Sequence, residues 1–204
     1  MKILHIDSSI LGESSLSRQI SAQVVSKLTS ANSDTQITYR DLVAEELPHM
    51  SGELIGALRS PPDDPSPEVA AGMDMADTLI EELMAADVVV VGAGLYNLTV
   101  PTQLKAWIDR VVLAGRTFRY DADGNQVGLA KGKRVILCIS RGGFYHEGSP
   151  GEEIEHCESL LRALFGFIGV TQIEAVTADG SAIGPEYREK ALASVEEQVA
   201  ALEV

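Results

Sequence analysis

Lys2-Ile3-Leu4-His5-Ile6-Asp7-Ser8-Ser9-Ile10-Leu11-Gly12-Glu13-Ser14-Ser15-Leu16-Ser17-Arg18-Gln19-Ile20 is the stretch that decides the fold. Its short apolar run, Ile3 to Ile6, predicts a buried strand. Leu16, Ile20, Val24 and Leu28 follow at intervals of four and mark one face of a helix. Between them lies a hydroxyl-rich turn, in which Ser14 or Ser15 can cap the helix by accepting from a free backbone N–H. The first helical turn has amides without partners and carries the positive end of the macrodipole. With the hydroxyls of Ser9, Ser15 and Ser17, the turn becomes a cup for a phosphate. The plainer reading, that these serines only cap a helix and fill a loop, stands beside it.

The same alternation of elements continues outward. Strands are expected at 3–6, 35–40, 87–91, 134–139 and 172–177. Val88-Val89-Val90-Val91 is apolar throughout, as a central parallel strand covered on both faces must be. A short helix is expected over Gly52–Arg59, followed by a loop with four prolines between Pro61 and Pro67. A long helix over Glu68–Ala86 should turn Met73, Ala76, Ile80, Leu83 and Met84 inward. Pro101 suits the first position of a helix whose buried stripe is Leu104, Trp107, Ile108 and Val111. Residues 117–129 suggest a small hairpin with a glycine-containing turn. A further helix is expected from Glu152 to Ile168, and Pro185 opens the last. The pattern is a single α/β domain over 1–204: a doubly wound, five-stranded parallel sheet of order 2-1-3-4-5, with helices on both faces.

The composition narrows the partners. The 204 residues carry a formal net charge of −14, which argues against nucleic acid or an anionic membrane as partner. No apolar run approaches the length of a membrane span. Cys138 and Cys157 cannot form a disulfide framework, and no signal peptide is apparent, so a cytoplasmic protein is expected. No metal-ligating cluster stands out.

Three loops carry unusual chemistry: 8–17, 93–100 and 140–145. Each directly follows an apolar strand, so in a parallel sheet they converge on the carboxyl edge, where ligands bind at the reversal of strand order. The middle loop supplies Tyr96 and Asn97. In the third, Ser140-Arg141-Gly142-Gly143, glycines permit close backbone approach and leave amides as donors. Gly92-Ala93-Gly94 only superficially opens a dinucleotide fingerprint, because position 97 is Asn and the motif belongs after the first strand. A mononucleotide whose ring meets backbone donors edge-on fits better. Arg141 can act either through its backbone or as a solvated charge, and His5 and Trp107 read as structural.

Taken together, Ser8-Ser9-Ile10, Ser15-Leu16-Ser17, Leu95-Tyr96-Asn97-Leu98, Gln103-Leu104-Lys105, Gly115-Arg116-Thr117-Phe118-Arg119-Tyr120, Ser140-Arg141-Gly142-Gly143 and Gly166-Phe167-Ile168-Gly169 make the chain resemble the FMN-dependent NADH-azoreductases of the flavodoxin-like quinone reductase superfamily. The resemblance spans Lys2 to about Ala193. It implies a flavodoxin-like three-layer sandwich, non-covalent FMN, and a homodimer with sites at the subunit interface. On that resemblance Ser9, Ser15, Leu16 and Ser17 hold the phosphate. Leu95, Tyr96, Asn97 and Leu98 line the isoalloxazine, and Ser140, Arg141, Gly142 and Gly143 meet its pyrimidine edge. Arg59, Tyr120 and Leu164 belong to the substrate side; Leu164 stands where some relatives have an aromatic. The loop departs from the Pro-Met-Tyr-Asn-Phe of many relatives, being less aromatic here.

The activity so implied is two-electron reduction of quinones and azo compounds by NADH or NADPH, in ping-pong fashion through the flavin N5. No side chain need act as nucleophile. The competing expectation is a flavodoxin-type electron carrier without small-molecule turnover. The hairpin and the 59–67 loop weigh against it, since a carrier needs no substrate shelf.

Overall fold

The computed structural model describes residues 1–32 and 34–203. The chain runs β1 (Lys2–Asp7), α1 (Leu16–Ser30), β2 (Gln36–Asp41), α2 (Gly52–Arg59), α3 (Pro67–Ala85), β3 (Val88–Gly94) and α4 (Thr102–Val111). It continues through β4 (Phe118–Tyr120), β5 (Gln126–Gly128), β6 (Arg134–Ser140), α5 (Glu158–Phe167), β7 (Gln172–Ala178) and α6 (Pro185–Ala201). β2-β1-β3-β6-β7 form one parallel five-stranded sheet, which is the expected order once the hairpin strands β4 and β5 are set aside.

Alternation along the buried strands divides the core between two layers. Val88 and Val90 join Ile3, Ile136 and Val176 against Leu16, Ile20, Val24 and Leu28 of α1 and Val195 of α6. Val89 and Val91 join Leu4, Ile6, Leu137 and Ile139 against α3, α4 and α5, where Trp107 and Phe165 pack with ring centroids 6.5 Å apart. The unbroken valine run is thus two interleaved faces, each with its own helices.

Two boundaries and one buried face differ from expectation. Pro101 precedes α4 at its N-cap position, with the extended ψ of 148°. The helix expected over 152–168 is a 3-10 turn at Glu152–Ile154 and then α5. The Glu155 carboxylate breaks it by accepting from the amides of Cys157, Glu158 and Ser159 at 3.0, 2.9 and 3.2 Å, so the helix restarts there. On α3, Met84 is exposed and Leu79 is buried in its stead, because the inward stripe runs Val69, Ala76, Leu79, Ile80, Leu83.

The hairpin β4–β5 sits on the carboxyl end of α5. A Cβ on Gly128 would lie 2.2 Å from the Gly169 amide nitrogen, so only glycine permits this approach. Phe118 meets Phe167 at 4.7 Å, and Ala130 donates to the Ile168 carbonyl at 2.8 Å. Because α5 runs back antiparallel to the strands, this end of the molecule is the amino edge of the sheet. Among the described residues no helix is long and apolar enough to cross a membrane, and no group of His, Cys, Asp or Glu could hold a metal ion.

Candidate functional site

The three loops meet as the topology requires. β1 and β6 flank β3, and the register pairs Asp7 with Gly92 and Gly94 with Ser140, so their exits are neighbours. Two hydrogen bonds join them: Ser9 Oγ lies 2.8 Å from the Tyr96 hydroxyl, and the Leu95 amide donates to the Ser140 carbonyl at 2.9 Å.

The first loop ends at Ser15, whose Oγ accepts from the Arg18 amide at 3.3 Å; Ser15, not the exposed Ser14, is the cap. Ser15 Oγ also lies 3.1 Å from Ser17 Oγ, so two hydroxyls meet at the mouth of α1. Among the described residues no backbone acceptor meets the amides of Leu16 and Ser17. Free amides, paired hydroxyls and the positive end of a fifteen-residue helix together suit an anion.

The middle loop is a two-residue hairpin. Tyr96 and Thr99 exchange backbone bonds of 2.9 and 3.1 Å around Asn97 (φ 45°) and Leu98 (φ 74°), a type I′ turn without glycine. Such a conformation costs a branched residue like Leu98 about 1–3 kcal/mol. The neighbouring chain holds it in place: the His156 amide donates to the Leu98 carbonyl at 2.8 Å, and Thr99 Oγ1 donates to the His156 carbonyl at 3.2 Å. A Cβ on Gly94 would lie 2.7 Å from the Tyr96 ring, so glycine there lets the ring fold back toward Ser9.

In the third loop the carbonyls of Arg141, Gly142 and Gly143 are all engaged. Ser181, Ala182 and Gly180 donate to the carbonyls of Arg141, Gly142 and Gly143 at 3.2, 3.0 and 2.8 Å. A trans peptide points its C=O and the next N–H in opposite directions. The amides of Gly142 and Gly143 therefore point away from the 180–182 segment and are available to a ligand. Arg141 is not a solvated charge: its side chain is 4% exposed and pairs with Glu158 at 2.6 Å, Asp179 at 3.1 Å and Glu155 at 3.6 Å. Those carboxylates hold its pKa above the ordinary value despite burial. Arg141 thus anchors the turn to α5 and to the loop after β7.

The expected substrate-side residues lie elsewhere. Tyr120 is 60% exposed on the hairpin, and Leu164 is half-buried near the end of α5, toward the amino edge. Arg59 is exposed at the end of α2, whose Leu58 shares a cleft with Leu113 and Ala114 beyond α4. None of the three takes part in the hydrogen bonds that tie the loops together.

Beneath the first loop lies a group of polar side chains, of which the sequence alone gives a role only to His5, a structural one. Asp7, 3% exposed, accepts from Ser21 Oγ at 2.8 Å and from the Tyr39 hydroxyl at 3.0 Å. His5 Nε2 lies 2.9 Å from Ser21 Oγ. Arg18 pairs with Asp41, which it draws down to a pKa of about 2. Burial, with Asp7 second, pushes the Tyr39 phenol up to about 12. The signal for this group was present: β1 and β2 each end in Asp, the two are register partners, and an arginine stands on the adjoining helix turn.

A parallel 2-1-3-4-5 sheet with its ligand edge at the first strand crossover defines the chain as a flavodoxin-like α/β protein, and the model of the flavodoxin-like fold family matches residues 1–202. The chain is 50% identical over 204 residues, all of both chains, to an FMN-dependent NADH:quinone oxidoreductase of Xanthomonas campestris pv. campestris. It is 50% identical over 195 residues, 95% of this chain and 94% of the relative, to FMN-dependent NADH:quinone oxidoreductase 2 of Bradyrhizobium diazoefficiens. The crystal structure of an azoreductase from Bacillus anthracis superposes with a TM-score of 0.89 at 30% identity, covering 98% of this chain and 97% of that one. The chain belongs to this family of enzymes, the FMN-dependent NADH:quinone oxidoreductases and azoreductases of flavodoxin-like fold.

Proposed function

We propose that the protein binds FMN without a covalent bond across the three loops and uses it to reduce quinones and azo compounds with NADH, the donor named for its relatives. The observation that carries this reading is the joining of three chemically different loops at one edge, through Ser9–Tyr96 and Leu95–Ser140. Ser9, Ser15, Leu16 and Ser17 take the phosphate with hydroxyls and amides. Leu95, Tyr96, Asn97 and Leu98 present one flat side to the ring. Ser140, Gly142 and Gly143 meet its pyrimidine edge, with Arg141 holding their turn in place.

Bound there, FMN would supply the redox chemistry, with N5 as the hydride acceptor and one place on the ring serving the nicotinamide and the two-electron acceptor in turn. The chain's part is to orient. The outward amides of Gly142 and Gly143 are fixed donors where negative charge develops at the pyrimidine edge, as in an oxyanion hole. No lysine or arginine side chain need enter that edge.

Tyr120, Leu164 and Arg59 complete the substrate side only from a second copy, since on one chain they stand away from the loops. That placement supports a homodimer with shared sites. The buried, unpaired Cys138 and Cys157 suit a cytoplasmic setting.

Anaerobic mixing of the FMN-loaded protein with NADH tests the reading. Loss of the yellow colour, restored by a quinone with multiple turnovers, is the expected result. A protein that takes up FMN but turns over no quinone or azo acceptor would instead be a carrier; one that takes up no FMN would refute the reading altogether.

A further inference from the structure

Arg18 lies in the first turn of α1, immediately beside the anion cup, and its charge invites the assumption that it binds phosphate directly. Its geometry argues otherwise. A guanidinium has five N–H donors. Nε donates to the Ser9 carbonyl at 3.1 Å, and Nη2 donates to the same carbonyl at 2.9 Å and to Asp41 Oδ1 at 2.7 Å. Nη1 donates to Asp41 Oδ2 at 2.8 Å and to the Tyr39 hydroxyl at 3.2 Å. These bonds use every donor. The charge is likewise matched, by Asp41 in a two-bonded fork and by Asp7 at 3.9 Å.

We propose that Arg18 is a positioning residue for the cofactor: gripped by Asp41, it clamps the Ser9 carbonyl from below and so sets the turn whose hydroxyl and amides receive the phosphate. The phosphate is then held by neutral groups alone, on a frame that the Arg18–Asp41 pair keeps rigid. This inference rests on the FMN reading above.

Position and charge make opposite demands on two variants. Lysine at 18 keeps the charge but cannot reproduce a fork that holds Ser9 and Asp41 together. Asn at 41 keeps the shape of the partner while leaving Arg18 less neutralised. If the charge of Arg18 attracted the phosphate, Arg18→Lys would bind FMN as the wild type does and Asp41→Asn would bind it more tightly. The clamp requires both to bind it more weakly.

The experiment is fluorescence titration of the apoprotein with FMN and with riboflavin, which lacks the phosphate, for wild type, Arg18→Lys, Arg18→Gln and Asp41→Asn. The expected result is a loss of FMN affinity of about tenfold or more in both Arg18 variants and a smaller loss in Asp41→Asn, each with little change for riboflavin. Partial unfolding would weaken both ligands by one factor and leave their ratio untouched, so an unchanged ratio overturns the clamp. FMN affinity retained in Arg18→Lys, or raised in Asp41→Asn, overturns it too. Failure of the wild type to bind FMN would instead overturn the function on which the inference rests.

Discussion

The hydroxyls of Ser9 and Tyr96 lie 2.8 Å apart and join the turn after β1 to the turn after β3. One bond thus ties the proposed phosphate end of the site to its proposed ring face. Tyr96→Phe keeps the ring and removes the tie. A net contribution of about 0.5–1.5 kcal/mol for such a bond predicts FMN binding weaker by roughly two- to tenfold. Fluorescence titration of the apoprotein measures it, and unchanged affinity would mean the two turns hold their places without the bond.

Leu98 sits at φ 74°, where a branched side chain is strained, and the residue is 37% exposed, so truncating it gives up only part of a leucine's packing while the strain is relieved in full. Leu98→Gly should therefore stabilise the apoprotein by about 1 kcal/mol, raising its melting temperature by about 2–4 °C, while weakening FMN binding through loss of a ring contact. A lower melting temperature would show that the turn is not under strain.

Gly92 faces the buried Asp7, and an added Cβ would lie 2.3 Å from its Oδ1 and 3.2 Å from the Ser17 carbonyl. Gly92→Ala must displace Asp7 or α1. The expected loss is about 1–3 kcal/mol, measured by chemical denaturation, with the mouth of α1 shifted and FMN bound less tightly. Wild-type stability would mean that β1 and α1 yield easily at this point.

Ser17 is fully buried at the mouth of α1. Ser17→Glu places a negative charge and added bulk where the phosphate is proposed to lie. FMN should no longer co-purify with the protein, and added FMN should not bind at micromolar levels. Unchanged flavin content would remove the phosphate from this cup.

Asp41, drawn from 3.8 to about 2 chiefly by its bond with Arg18, gives a pH prediction of definite sign. A carboxylate whose pKa is depressed by folding adds stability above its unfolded value and loses it as pH falls through the folded one. Asp41 is partly exposed, so solvent screening holds the contribution to about 1 kcal/mol. Denaturation curves should find the wild type more stable than Asp41→Asn at neutral pH, with the gap closing between pH 3.8 and about 2. A constant gap across that range would show that the ion pair contributes nothing.

Much of this was legible in the residues. The valine run, the four-residue spacing of Leu16 to Leu28 and the glycine-bearing loops after strands are local patterns, and they specify period, burial and the edge at which loops gather. Boundaries were less so. Glu155 ends one helical turn and starts α5 because its carboxylate captures three amides, a choice that spacing does not display. Met84 fits the expected stripe nearly as well as Leu79, and only the packing of α3 in the folded chain separates them.

The sequence by itself determined the parallel sheet, its strand order and the three loops at its carboxyl edge, because hydrophobic period and strand–helix alternation are properties of neighbours along the chain. Tertiary structure alone decided which polar groups were left free for a ligand. Arg18 at a helix start and Arg141 in a loop look alike as charges in the sequence, yet folding commits both to carboxylates distant along the chain. The amides of Gly142 and Gly143 face outward because the carbonyls of the same peptides, those of Arg141 and Gly142, turn toward Ser181 and Ala182. Which donors remain depends on partners many residues away, and only folding brings those partners together.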